Sequence, residues 1–205
     1  MKKNKEIRTF NFDVQAEESE ENGKYITGRP IVYDAVTDLG EFREVIERGA
    51  LDNTDLKDVP FFVNHNIDMI PLARSRNNNA NSTMQLTTDN EGLIIRANLD
   101  TENNQDSRAL YSATERKDID GMSFMFDIQG DAWEDLDTDK PLRRVTSIRK
   151  VWEVSAVVFP AYDETSLSVD TRSKADVLDN ARATLESVKA EEKRQKILSI
   201  LKEAK

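Results

Sequence analysis

The chain has 205 residues, a net charge of −10 and a pI near 4.8, with 38% hydrophobic and 33% charged residues, which suits one domain of ordinary size plus an appendage. The acidic balance argues against a nucleic-acid-binding surface as its main business. The absence of cysteine excludes disulfide frameworks, thiolate zinc sites and Cys nucleophiles, and a single histidine, His65, excludes every multi-His metal centre.

The basic start, Met1 to Glu6, runs into Ile7-Arg8-Thr9-Phe10-Asn11 and not into an apolar stretch, so no secretory signal is expected. No apolar run approaches the ~20 residues that a membrane helix needs, and a soluble protein of a reducing intracellular space is the expectation. Ile7 to Val14 alternates loosely as a first strand. Tyr25 to Tyr33 reads as a second strand, kinked at Gly28-Arg29-Pro30. Phe42, Val45 and Ile46 fall at helical spacing before Gly49, which predicts a short helix or turn over Glu41–Gly49. Val59 to Val63 is a short buried strand ending at Asn64-His65-Asn66. Met84–Thr87 and Leu93–Leu99 flank the turn Asp89-Asn90-Glu91-Gly92 as a hairpin. Gln105 to Arg116 is a predicted helix. Met122–Ile128, Arg143–Ile148 and Val151–Phe159 are predicted strands, the last two compatible with one bent strand, and Pro160 ends the series.

After Arg172 the texture changes. Residues 174–205 hold no Gly, Pro or aromatic residue, and Leu178, Ala181, Leu185 and Val188 recur at helical spacing, with a second cluster at Ile197, Leu198 and Leu201. An amphipathic helix, or two, seeking a partner surface is expected. Eight basic and six acidic residues make this tail +2, which leaves −12 on the body. The fold class expected is α+β, mainly β, with residues 1–173 as one domain and 174–205 as a helical tail.

Three strand-like segments each carry a polar residue where packing alone would place an apolar one. In Gly121-Met122-Ser123-Phe124-Met125-Phe126 alternation sets Met122, Phe124 and Phe126 on one face and Ser123 on the other. Glu153 sits in the hydrophobic run Val151 to Phe159, where an unpaired carboxylate would cost several kcal/mol. His65 closes the run Phe61-Phe62-Val63. A hydroxyl, an imidazole and a carboxylate are the parts of a nucleophile, base and orienter set: the imidazole takes the hydroxyl proton, and an acceptor on its far nitrogen fixes the tautomer. Structural readings compete. His65 and Ser123 could be ordinary hydrogen-bonded residues, Glu153 could pair with Arg143, Arg144, Arg149 or Lys150, and Ser155 is a rival polar residue on the same face. The order His–Ser–Glu, with Met125 where G-x-S-x-G needs its second glycine, disfavours an α/β-hydrolase.

Three charged stretches yield no site. Asp135, Asp137 and Asp139 have the spacing of a calcium loop, but Lys140 and Thr146 occupy its glycine and glutamate positions, so Asp131–Lys140 reads as a hairpin tip. Arg74-Ser75-Arg76 and Arg143-Arg144 are too sparse for nucleic acid, and the arginine pair reads as a solvated strand end.

The ordered blocks Gly28 to Asp34, Phe42 to Leu51, Phe62-Val63-Asn64-His65-Asn66, Glu91-Gly92-Leu93, Ile119 to Phe126 and Glu153 to Tyr162 resemble the tailed-bacteriophage prohead proteases over roughly residues 24 to 170. That family is distantly similar to the herpesvirus assemblin proteases. The resemblance implies a closed or nearly closed β-barrel core with surrounding helices. It implies a serine endopeptidase that works inside the procapsid in the host cytoplasm, cutting the scaffolding segment of the major capsid protein and then itself. His65 and Ser123 carry over as base and nucleophile. The herpesvirus branch uses a second histidine as third member; this chain has none, so Glu153 takes the orienter role. No cofactor and no metal are expected. The resemblance implies the capsid protein and its scaffolding segment as partners, with room for self-association as a dimer, while charge and hydropathy argue against nucleic acid and membrane. The helical tail has two readings: it packs back onto the domain or frays, or it recruits the protease into the procapsid and is removed by self-cleavage. A non-catalytic scaffold or assembly protein of the procapsid is the alternative.

Overall fold

A computed structural model describes residues 5–10, 14–20, 23–158 and 173–203. Eleven strands and two helices are assigned among them, in two sheets. The predicted end of the last strand, Phe159-Pro160, and the block through Tyr162 lie outside the described residues.

The first sheet is organised by a long hairpin. β10 (Gly121–Glu134) and β11 (Leu142–Val157) pair antiparallel along their length, and the acidic stretch Asp135–Lys140 turns between them. The first six residues of β10 are buried on both faces, which explains why that segment reads as a nearly continuous apolar run. The far edge of β11 is shared by two short parallel strands, β5 (Arg43–Ile46) along its start and β6 (Pro60–Val63) near its end. β1 (Lys5–Phe10) lies antiparallel on the free edge of β10. The two-residue strands β4 (Thr37–Asp38) and β7 (Ala73–Arg74) complete this sheet.

The second sheet runs β2 (Gln15–Ser19), β3 (Gly23–Val32), β9 (Gly92–Asn98) and β8 (Met84–Thr88) in that order. Pro30 cannot donate to a ladder, and the β3–β9 register slips between Gly28 and Ile31. Gly92 opposes Val32 just beyond the slip. A Cβ there would lie 2.0 Å from the Ile31 carbonyl oxygen, so only glycine fits. Ile26, Ile31, Leu93 and Ile95 of this sheet share one core with Met122, Phe124, Phe126 and Val154 of the first. α1 (Gln105–Glu115), capped by the Asn104 side chain, adds Leu110 and Tyr111 to it.

Three expectations are corrected. The core is not a closed barrel: the sheets are open, because the end strands of each order do not pair with one another among the described residues. Glu41–Gly49 holds a strand and not a helix. Glu44, Val45 and Ile46 are all buried in β5, so apolar side chains on both faces of an interior strand imitate helical spacing. Arg143 is not solvated. It is 3% exposed and forms a buried quartet with Glu6, Arg8 and Glu44, its Nη1 donating to Glu6 Oε2 at 2.7 Å and to Glu44 Oε2 at 3.2 Å. Its neighbour Arg144 is half-buried and pairs with Glu134.

The tail forms one helix, α2 (Lys174–Glu203), and not two. Ser173 caps its start through Oγ, which accepts from the Asp176 amide at 3.1 Å. Val177 and Leu178 pack against Leu39 and Phe42, and Arg182 donates to the Leu136 and Thr138 carbonyls of the hairpin tip. Beyond this anchorage the helix leaves Val188, Ile197, Leu198 and Ile200 exposed.

The quartet makes stability depend on pH. Burial alone would push the Glu6 carboxyl up, but Arg8 and Arg143 outweigh it and hold the group below its ordinary 4.5. A carboxyl depressed in the folded state contributes stability that is fully present above about 4.5 and is lost as pH falls through the folded value. Glu6→Gln should flatten the acid limb of a stability–pH curve recorded by urea unfolding. Arg143→Met, which leaves two buried carboxylates short of a partner, should cost about 3–5 kcal/mol in the same measurement.

Candidate active site

The register of the hairpin brings the polar interruptions together. Ser123 of β10 is directly opposite Ser155 of β11, and Met125 is opposite Glu153. The next pair is Phe126 with Val151, so Trp152 is the extra residue of a bulge. That bulge lets Val151 face the core while Glu153 and Ser155 point, with Ser123, to the other face of the sheet. β6 runs parallel to this stretch, pairing Phe62 with Ser155 and Val63 with Ala156.

The chain then turns sharply. Asn64 and His65 have φ of +50° and +56°, uncommon for residues with a Cβ. Asn64 ties the turn to the end of β11 twice: its amide donates to the Ala156 carbonyl at 2.9 Å, and its Oδ1 accepts from the Val158 amide at 3.2 Å. It delivers the imidazole onto the polar face of β10 and β11.

His65 Nδ1 lies 2.5 Å from Glu153 Oε1 and Nε2 lies 2.6 Å from Ser123 Oγ. Glu153, which the sequence could equally have paired with Arg143, Arg144, Arg149 or Lys150, is joined to the imidazole, while Arg143 and Lys150 serve Glu6 and Asp55. Its second oxygen accepts from Ser155 Oγ at 2.7 Å, and that same Oγ accepts from the His65 amide at 3.2 Å. Ser155 therefore ties the backbone of the histidine to the carboxylate that faces its ring. The sequence offered Ser155 only as a rival to Glu153; their shared face was legible, their joint use was not.

Ser123 has further partners on β1. Its hydroxyl donates to the Arg8 carbonyl at 2.8 Å and its oxygen accepts from Thr9 Oγ1 at 2.9 Å. Ser123 is 0% exposed, with Glu153 at 2% and His65 at 7%. Among the described residues no group of three or more His, Cys, Asp or Glu side chains has the arrangement of a metal site.

A hydroxyl, the chain's one imidazole and a buried carboxylate in a row, on the central hairpin of a mainly β fold, describe a serine-hydrolase type of site. The sequence places it more closely: residues 10–180 match the caudovirus prohead serine protease family, and the chain belongs to that family of phage capsid-maturation peptidases. No curated protein and no solved structure matches the chain.

With one histidine, ring signals in NMR need no assignment. In protein carrying 15N-histidine, the proton between Nδ1 and Glu153 should give a strongly deshielded line. Ser155→Ala should shift that line by removing a donor from the carboxylate, and Glu153→Gln should abolish it. A line unmoved by either change would contradict the described contacts.

Proposed function

We propose that the protein is a serine endopeptidase of capsid maturation in which Ser123 is the nucleophile, His65 the general base and Glu153 the residue that orients and stabilises the imidazolium. The supporting observation is the unbroken row from Glu153 Oε1 through His65 Nδ1 and Nε2 to Ser123 Oγ, at 2.5 and 2.6 Å. During acylation the Ser123 oxygen bonds to the scissile carbonyl carbon and its proton passes to Nε2. Return of that proton expels the amine, and water, deprotonated by the same nitrogen, releases the acyl group. Ser155 is a positioning residue that keeps one oxygen of Glu153 occupied so that the other stays aimed at the ring.

The substrate in this reading is the scaffolding segment of the major capsid protein, cut within the procapsid in the host cell, followed by the protease itself. The division into residues 1–173 and a tail of 174–205 fits this use. The described contacts anchor α2 from Val177 to Arg182, and the exposed Val188, Ile197, Leu198 and Ile200 suit a helical segment of the scaffold or a second copy of the protease. Self-cleavage near the start of α2 would free the domain from that attachment.

The test is cleavage of co-expressed capsid protein together with covalent labelling of Ser123 by a fluorophosphonate, read by mass spectrometry. Ser123→Ala and His65→Ala should lower turnover by about 10⁶. Glu153→Gln should lower it by about 10⁴, the loss seen when an orienting carboxylate becomes an amide. Ser155→Ala should cost a factor of roughly 10 to 100, the worth of one hydrogen bond to a charged group. A chain that binds capsid protein yet neither labels nor cleaves would be an assembly factor on a protease scaffold.

A further inference from the structure

Resting on that assignment of Ser123, the geometry around the hydroxyl points to a latch. We infer that β1 occupies the place of the substrate: an extended peptide adds to β10 as an antiparallel strand only after β1 has left, and the fold described is the latched form.

Three observations carry this. The first is access. Ser123 is wholly buried, and β1 lies directly alongside, pairing Thr9 with Ser123. An acyl acceptor cannot meet a polypeptide in that state.

The second is the proton. A backbone carbonyl can only accept, so the bond from Ser123 to the Arg8 carbonyl uses the one hydroxyl proton. The serine oxygen is also met by Thr9 Oγ1 at 2.9 Å and lies 2.6 Å from Nε2, so β1 brings two further polar partners to the hydroxyl that the imidazole must activate. Removal of β1 removes the competing carbonyl and frees the hydroxyl proton for Nε2.

The third is how β1 is held. It is the edge strand, and among its described side chains none is a buried apolar one. Those described as buried are Glu6 and Arg8, and Arg8 reaches Glu44 through Nε at 2.5 Å and Nη2 at 2.8 Å, and Glu6 through Nη2 at 2.6 Å. Ions regain hydration on leaving the protein, which offsets much of the attraction lost, whereas a strand of buried Val and Leu would have no such compensation. The strand left behind, Met122 to Asp127, would expose a row of backbone donors and acceptors beside the nucleophile, the feature to which extended peptides add. An incoming strand in the register of β1 sets a peptide carbonyl where that of Arg8 now lies.

The chain's lack of cysteine makes a reversible test direct. Ile7 and Met125 are opposed across β1 and β10, at positions that a disulfide can bridge. In the full-length Ile7→Cys/Met125→Cys protein, oxidation should reduce fluorophosphonate labelling of Ser123 to the background of Ser123→Ala, and reductant should restore it. Equal labelling rates in the two redox states would overturn the latch while leaving the nucleophile standing. No labelling of the wild-type or the reduced protein, even in urea that removes hydrogen-exchange protection from β1 while β10 and β11 keep theirs, would instead overturn the nucleophile, and the latch with it. A second measurement avoids the double variant: wild-type protein reacted with a diphenyl phosphonate whose peptide copies Glu6-Ile7-Arg8 should lose hydrogen-exchange protection at the β1 amides and keep it along β10. Retained protection of β1 in the phosphonylated protein would also overturn the latch.

Discussion

A carboxylate buried in the middle of a strand is the constraint from which the site follows. Glu153 stands between Val151 and Val154 in a sheet whose other face is solid core, and it is 2% exposed. An ion there is tolerable only if both oxygens are met by donors. One meets the imidazole and the other the Ser155 hydroxyl. To supply the first donor, the chain leaves β6 through two consecutive residues in the left-handed region, Asn64 and His65, each costing of order 1 kcal/mol or more. The bulge at Trp152 has the same logic, since without it Glu153 and Val151 would share a face.

Charge is distributed differently on the two faces of the hairpin, and β1 touches both. Glu6 and Arg8 align with Phe126 and Phe124 and enter the buried quartet. Thr9 aligns with Ser123 and enters the hydroxyl network. Two residues of alternation thus link a cluster of four charges to the hydroxyl on the opposite side of the sheet. Whatever loosens the quartet loosens the strand that covers Ser123, so the stability of this edge and access to the hydroxyl are one equilibrium observed from two sides.

Local chemistry made much of this legible in the sequence. The hairpin of β8 and β9, the extent of α1 and the tip at Asp135–Lys140 follow from turn residues and periodicity. Strand alternation alone isolated Ser123 and Glu153 as the residues that packing does not explain. What could not be read was set at a distance. Phe42, Val45 and Ile46 have helical spacing because β5 is covered on both sides, which depends on β11 about a hundred residues later. Arg143 looks like a surface residue until Glu6 of β1 and Glu44 of β5, strands on either side of the central hairpin, are placed against it. The openness of the sheets is likewise a matter of which edges meet, on which sequence pattern is silent.

In the proposed triad Glu153 stands where herpesvirus enzymes have a second histidine, which changes what the surroundings must supply. A neutral imidazole in the orienter position carries its own donor and acceptor and adds no charge to a closed site. A carboxylate brings a full negative charge and has only acceptors to offer. It stabilises an imidazolium more strongly, but it must be desolvated at rest, before any imidazolium exists. Ser155 answers that requirement: it donates to the free carboxylate oxygen and, by accepting from the His65 amide, fixes the distance between carboxylate and ring. In the acyl-transfer reading the third position is therefore a pair, Glu153 with Ser155. An unaccompanied glutamate at this depth would leave one oxygen buried without a donor, and nothing would hold the other against the ring.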